Sequence, residues 1–175
     1  RSTLFPYTTL FRSPYRVDML PQTVARLARL PNIVGVKEAV GQVERVGELV
    51  ASVPADFVVL SGDDATAREA VLAGARGVIS VTANCAPRAM SDMIAAALRG
   101  ASAQAARIDS PLAGLHRDLF LEANPIPVKW ALHRMGLIES GIRLPLTWLS
   151  ATHTSAVQAA LQAAGVLEIS KDKTA

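Results

Sequence analysis

Ile33-Val34-Gly35-Val36-Lys37-Glu38 is a short apolar run that ends in a charged pair. Residues 57–60 and 77–81 form two further runs of the same kind. Runs that are apolar almost throughout, and not only at every second residue, are typical of parallel strands covered by helices. Helical patterns alternate with these runs, at residues 42–53, 64–73 and 87–98. The alternation predicts an α/β fold with a parallel sheet.

The strand signal stops after residue 99. A helical pattern precedes the first strand at residues 20–30, and further helices are predicted at 101–121, 128–135 and 152–164. A strand and helix in about 20–25 residues suit either a (β/α)8 barrel or a doubly wound sheet. Three strands alone cannot close a barrel. The chain is therefore expected to be either part of a larger fold or a very small α/β domain.

The composition excludes several classes of function. The net charge is only +3, and the arginines are spread along the chain, which argues against a nucleic-acid or membrane-binding surface. Cys85 is the single cysteine, so no disulfide can form within the chain. No apolar run reaches the ~18 residues of a membrane-spanning helix. A soluble, cytoplasmic protein is expected. Zinc-ligand spacing and glycine-rich phosphate loops do not occur, and no cofactor is expected.

Lys37 is the candidate nucleophile. The chain has 18 basic residues, and only four of them are lysines; two of these, Lys171 and Lys173, belong to the polar tail. Arginine cannot lose its proton near neutral pH, whereas a lysine among apolar neighbours can supply a neutral amine. Such an amine adds to a ketone and forms an imine, an electron sink for carbon–carbon bond chemistry. The alternative is a surface pair of Lys37 with Glu38 beyond the strand end.

Gly62 and Ile79 are candidate substrate-binding residues. Gly62 comes just after the second apolar run, and Ile79 lies toward the end of the third. Gly62 would let a substrate approach the backbone, and Ile79 could present backbone groups to an α-keto carboxylate. Their alternative roles are a turn glycine and an ordinary core residue. Asp63 and Asp64 are interpreted as a helix cap and its neighbour. Four other residues are expected to be structural, namely His116, His133, His153 and Cys85.

The domain boundaries follow from changes in pattern. Residues 1–13 share no periodicity with the rest and resemble a translated sequencing adapter, so a foreign or disordered segment is expected there, with a genuine strand or loop as the alternative. Residues 14–99 are predicted to be the α/β part and 100–167 the helical part. Residues 168–175 are a polar tail.

Four segments together resemble the dihydrodipicolinate synthase and N-acetylneuraminate lyase superfamily. They are Ile33–Ala39, Leu60–Asp64, Gly77–Asn84 and Glu122–Ala131, the last of which contains the Asn-Pro-Ile-Pro-Val-Lys sequence of the synthase branch. The resemblance covers residues 17–167. It implies the last three strands and helices of a TIM (β/α)8 barrel, followed by a C-terminal helical domain.

The resemblance also implies an activity. Lys37 would carry pyruvate as a Schiff base, and Ile79 and Gly62 would line the pyruvate pocket. The implied reaction condenses pyruvate with aspartate semialdehyde to 4-hydroxy-tetrahydrodipicolinate, on the diaminopimelate route of lysine biosynthesis. Lys129 would be a structural contact. The complete family enzyme is expected to be a homo-oligomer, a tetramer by resemblance.

This sequence departs from the family pattern upstream of Val17. The catalytic Tyr, the Thr pair and the Tyr from a neighbouring subunit find no match, and Tyr15 and Arg16 do not have the spacing of the proton donor and second-substrate residues. The chain is therefore expected to be a truncated form that is inactive alone. Two alternatives stay open: a sibling lyase or aldolase for sugar keto acids, and a non-catalytic half-barrel module.

Overall fold

The computed structural model describes residues 18–168, so the predictions for residues 1–13 and for nearly all of the tail lie outside it. Helices and strands alternate in the first half of this region, and helices alone follow. The elements are α1 (Pro21–Leu27), β1 (Gly35–Glu38), α2 (Val43–Ser52), β2 (Val58–Ser61), α3 (Ala67–Leu72), α4 (Pro87–Leu98), α5 (Ser102–Asp109), α6 (Ala113–Asp118), α7 (Ile126–Arg134) and α8 (Ala151–Ala163).

The two strands are parallel, as the apolar runs predict. Their register places Lys37 opposite Leu60 and Glu38 opposite Ser61. The helix α2 connects them and turns Val46 and Leu49 into the core, one helical turn apart. The α/β class is therefore confirmed, with few strands.

The third apolar run forms only a single parallel bridge, between Ser61 and Val78. The prediction of a full strand over 77–81 is wrong in its length. Beyond Ile79 the backbone leaves the sheet, because the amide groups of Val81 and Thr82 donate to the carboxylate of Asp64. A 3-10 turn then follows at Thr82–Asn84.

The long helix predicted at 101–121 is two helices, α5 and α6, separated by a 3-10 turn at Ser110–Leu112. Pro111 explains the break, since proline inside a helix removes a hydrogen bond and clashes with the preceding turn. The helix α6 packs against α8, and the two are close at Gly114, where an added Cβ would lie 3.1 Å from the Cβ of Ala160.

One hydrophobic cluster joins the α/β part to the helical part. It includes Leu49 and Met93 from the first part and Leu115, Val157 and Leu161 from the second. Between residues 18 and 168, the structure contains no helix with the length and apolar character needed to span a bilayer.

Candidate active site

Lys37 lies near the carboxyl end of β1 with an exposed side chain. Alternating residues of a strand point to opposite faces, so Lys37 and the buried Glu38 leave the sheet in opposite directions. Gly62 follows β2 and Ile79 follows the bridge at Val78, which places both at the same edge of the sheet as Lys37. The structure thus brings the three predicted site residues to the carboxyl ends of neighbouring parallel segments, where α/β folds gather their ligands.

The side chain of Lys37 extends over Gly62. A Cβ added to Gly62 would lie 2.6 Å from Cε of Lys37 and 2.9 Å from Cβ of Ala39. Both distances are shorter than van der Waals contact allows. The missing side chain at Gly62 therefore creates the space through which Lys37 reaches the edge of the sheet.

Ile79 is half exposed, at 50% of its full surface. Its amide donates to the carbonyl oxygen of Ser61 at 2.8 Å, and the Ser61 amide donates to the carbonyl oxygen of Gly77 at 2.9 Å. The Ile79 amide is thus already engaged in the sheet. Its carbonyl is the backbone group that it can offer to a ligand.

Glu38 pairs with Arg45 and not with Lys37. Its carboxylate accepts from Nε of Arg45 at 2.7 Å and from the amide of Val40 at 2.9 Å. The guanidinium of Arg45 also binds the carboxylate of Asp18 at 2.7 Å. Hydrogen bonds to Asp18 and then to Glu38 raise the pKa of Arg45. The alternative of a surface pair between Lys37 and Glu38 is wrong, and Lys37 is left facing solvent.

Asp63 and Asp64 have different roles. Oδ2 of Asp63 accepts from the amide and the hydroxyl of Thr66 at 3.0 and 2.8 Å, in the turn before α3. The N-cap residue of α3 is Thr66, so the prediction that one of the two aspartates is the N-cap is wrong. Asp64 is buried, and its Oδ2 accepts the amides of Val81 and Thr82 at 2.9 and 3.1 Å. The prediction that Asp64 is only the neighbour of a cap missed this link to the end of the third apolar run.

A chain of hydrogen bonds connects the same turn to the helical part. Oγ1 of Thr82 lies 2.9 Å from Nδ1 of His116, and Nε2 of His116 lies 3.1 Å from Oδ1 of Asp109. Nε of Arg68 donates to the other oxygen of Asp109 at 3.0 Å. Burial alone would raise the pKa of Asp109, but the hydrogen bond and charge of His116, followed by those of Arg68, lower it on balance.

Cys85, His133 and His153 keep their structural roles as predictions. Cys85 is buried, and desolvation raises the pKa of its thiol to about 11. His133 contacts the carbonyl of Ile138 at 3.3 Å and meets the Trp148 ring edge-on. His153 lies in α8. Within the described range of the chain, no group of three His, Cys, Asp or Glu side chains could hold a metal ion.

Two grooves with volumes of about 530 and 420 Å³ lie away from Lys37. The first runs between α2, β2 and α3 and has a mixed lining, with Phe57, Arg76 and Leu98 in its walls. The second flanks Ile79, since Val78 and Ser80 line it together with α4. Neither groove encloses the side chain of Lys37, which lies on an open surface.

Comparison with known proteins places these features in context. The model of the Dihydrodipicolinate synthetase family matches residues 8–164. The 4-hydroxy-tetrahydrodipicolinate synthase of Methylococcus capsulatus is 58% identical over 160 residues, which cover 90% of this chain and 55% of that protein. The chain thus spans about half the length of the curated relatives it matches.

Solved structures agree with this match. The chloride-inhibited dihydrodipicolinate synthase of Acinetobacter baumannii, in complex with pyruvate, is 50% identical with a TM-score of 0.84, covering 86% of this chain and 52% of that one. A dihydrodipicolinate synthase variant described as monomeric is 39% identical with a TM-score of 0.83, over 86% of this chain and 52% of that one.

Proposed function

The chain belongs to the dihydrodipicolinate synthetase family, and we infer from this membership that it is the C-terminal portion of a Schiff-base lyase. The proposed reaction condenses pyruvate with aspartate semialdehyde to 4-hydroxy-tetrahydrodipicolinate in lysine biosynthesis, in the cytoplasm and without a cofactor. The observation that carries the proposal is the position of Lys37, the lysine that extends over Gly62 at the carboxyl edge of the sheet.

The chemistry proposed for Lys37 is covalent. Its neutral amine attacks the keto carbon of pyruvate, and the resulting carbinolamine loses water to give an imine. Loss of a proton from the pyruvate methyl group turns the protonated imine into an enamine. The enamine carbon then forms a bond to the aldehyde carbon of the second substrate, whose carbonyl oxygen takes up a proton, and the lysine is again an imine. The amino group of the second substrate attacks the imine carbon, closes the ring and displaces the amine of Lys37, which releases the product.

Gly62 and Ile79 are proposed to bind pyruvate. Gly62 has no side chain and so lets the lysine chain reach this edge of the sheet. Ile79 lies at the same edge, and its carbonyl is proposed to accept a hydrogen bond from the carbinolamine hydroxyl or the enamine N–H that pyruvate forms with Lys37. The Acinetobacter baumannii relative with bound pyruvate supports pyruvate as the ligand. Lys129 is proposed to be a structural residue of α7.

The fold proposed for the complete protein is a (β/α)8 barrel. In it, β1, β2 and the run that follows Gly77 are the last three strands, and residues 100–167 form the C-terminal helical domain. Among the described residues β1 has a strand partner on one side only, which supports further strands beside it, and the exposed apolar side chains of Val34 and Val58 support further packing against this sheet. The complete protein is proposed to be a homo-oligomer, a tetramer by family resemblance, although one structural relative is monomeric.

The 175-residue chain is proposed to lack turnover alone. Lys37 is exposed, and within residues 18–168 no acid or base side chain is hydrogen-bonded to it. Proton transfers at the imine and enamine stages need a positioned acid–base group, which contributes about 10²–10⁴-fold. The open surface also exposes the amine to water.

An activity assay tests the proposal. The completed protein is residues 14–175 preceded by the N-terminal part of the Methylococcus capsulatus relative that the chain does not span. We expect the completed protein to consume pyruvate and aspartate semialdehyde together, and residues 14–175 alone to show no turnover. Preference for a sugar keto acid over aspartate semialdehyde would contradict the proposed second substrate. Turnover by residues 14–175 within tenfold of the completed protein would contradict the proposed inactivity.

A further inference from the structure

We propose that Asp64, Thr82 and His116 are positioning residues for the pyruvate site, because together they fix the backbone that follows Ile79. This role rests on the function proposed above. None of the three lies at the exposed edge of the sheet, so each would act on the substrate only through the position of the Ile79 carbonyl.

Asp64 ties the end of the third apolar run to the end of β2. One carboxylate oxygen accepts two amide hydrogens, from Val81 and Thr82, while the other is buried without a partner in the described residues. Hydrogen bonds to a charged acceptor are among the stronger ones in proteins. Asp64 lies two residues after Gly62, so this contact fixes the distance between the two proposed pyruvate-binding segments.

His116 fixes the same turn from the opposite side. Thr82 is completely buried, and its hydroxyl lies 2.9 Å from Nδ1 of His116, a bond that spans 34 residues of sequence. The amides of the turn are therefore held by Asp64, between β2 and α3, and the Thr82 side chain is held by His116 of α6. Two independent attachments leave the Ile79 carbonyl little freedom to move relative to Lys37.

Asp109 and Arg68 orient the histidine. The second ring nitrogen of His116 lies 3.1 Å from Asp109, which also accepts from Arg68 of α3. A ring with both nitrogens engaged holds one orientation and one direction of hydrogen bonding. The order hydroxyl, imidazole, carboxylate resembles a nucleophilic triad, but the complete burial of Thr82 closes it to substrate. Its function is to position.

The test compares Thr82→Val, which has the same shape but no hydroxyl, with Thr82→Ser, which keeps the hydroxyl. In the 175-residue chain, we expect amide hydrogen exchange at Val81 and position 82 to become at least about tenfold faster in the Val variant and to stay unchanged in the Ser variant. Should T82V fail to fold, H116Q tests the bond from the other partner. Equal exchange in all variants would overturn the attachment.

The functional readout is borohydride trapping of pyruvate in the completed protein. We expect T82V to raise the half-saturating pyruvate concentration about tenfold, with a limiting trapping rate within about twofold of wild type, because misplacement of a binding group weakens the complex more than it alters the amine. T82S, which keeps the hydroxyl, should have the half-saturating pyruvate concentration of wild type. A change in stability alone would not predict this difference between the two variants.

The outcomes separate the two proposals. Wild-type trapping with an unchanged half-saturating concentration in T82V would overturn the positioning role and leave the proposed function standing. Absence of trapping in the wild-type completed protein would overturn the proposed function, and the positioning role with it. Faster exchange together with a raised half-saturating concentration would support both.

Discussion

The side chain of Lys37 fills the space that a side chain at position 62 would need: a Cβ added to Gly62 would lie 2.6 Å from Cε and 3.0 Å from Cγ of Lys37. The amide of Gly62 also donates to the carbonyl of Glu38, the residue next to Lys37, so the backbone cannot move aside freely. Any side chain at position 62 must therefore displace the lysine chain.

Gly62→Ala should impair the lysine while leaving the protein folded. We expect pyruvate trapping by the completed protein to fall about 10–100-fold, since a misplacement of the order of 1 Å can cost that much. The measurement is the trapping rate at saturating pyruvate. Gly47→Ala is the matched control: Gly47 lies inside α2 with nothing within 4 Å of an added Cβ, and alanine there should be neutral or stabilising by about 0.5–1 kcal/mol. Equal trapping in G62A and G47A would contradict the steric account.

Arg45→Met should destabilise the fold, because it leaves the buried carboxylate of Glu38 without its cation. We expect the free energy of unfolding to fall by about 1–3 kcal/mol, the usual cost of a buried polar group that loses a partner. Urea unfolding at neutral pH measures it. Arg26→Met, at an exposed position of α1, should change it by no more than about 0.5 kcal/mol. A loss of the same size in both variants would show that Glu38 does not need Arg45.

Asp109 should make the fold sensitive to acid. Its pKa is lower in the folded chain than the ordinary value of 3.8, despite a burial effect in the opposite direction, because His116 and Arg68 favour the carboxylate. A carboxyl group whose pKa is lower in the folded than in the unfolded chain stabilises the fold. This stabilisation is fully present at pH values above the pKa of the unfolded chain, and it is lost as the pH falls through the pKa of the folded chain. We therefore expect the difference in free energy of unfolding between wild type and D109N to become smaller as the pH falls below about 4.

Urea unfolding midpoints at pH 6 and pH 3 measure this gap. Asp56→Asn, at an exposed aspartate, serves as the control and should follow wild type at both pH values. A gap between wild type and D109N that is as wide at pH 3 as at pH 6 would mean that the carboxylate of Asp109 is not preferentially stabilised in the fold.

Cys85 should be inert in the folded protein. Its thiol is buried and its pKa is raised to about 11, so roughly one thiol in a thousand is ionised at pH 8. We expect a disulfide reagent to modify Cys85 at least about a hundredfold more slowly in buffer than in urea. Equal rates would show that the segment around the turn at Thr82–Asn84 opens readily.

The local features of the fold were predictable from the sequence, and the long-range ones were not. Continuous apolar runs located β1 and β2, and spacing of apolar residues located α2 and α4. The break at Pro111 also has a local signal, since proline inside a helix removes a hydrogen bond and clashes with the preceding turn. The shortness of the third run was not predictable, because it depends on a carboxylate 17 residues earlier that captures the amides of the strand end.

The candidate site was also predictable from the sequence only in part. Lys37 is a candidate because the body of the chain uses arginine almost everywhere else. Gly62 and Ile79 are candidates from their positions at the ends of the next two strands, and the family resemblance assigns them to the pyruvate pocket. His116 was predicted to be structural, but its partner Thr82 could not be identified, since nothing local to either residue links them across 34 positions. The roles of Lys37, Gly62 and Ile79 remain predictions.

The central claim is that Lys37 forms an imine with pyruvate. The most direct measurement incubates the completed protein with pyruvate and borohydride and locates the modified lysine by peptide mass spectrometry. We predict the mass increase of one reduced pyruvate on the peptide that contains Lys37, its loss in Lys37→Arg, and its retention in Lys129→Arg, which changes the only other lysine between residues 14 and 168. Modification that persists in K37R would contradict the account. Its loss in K129R at the same time would assign the imine to Lys129.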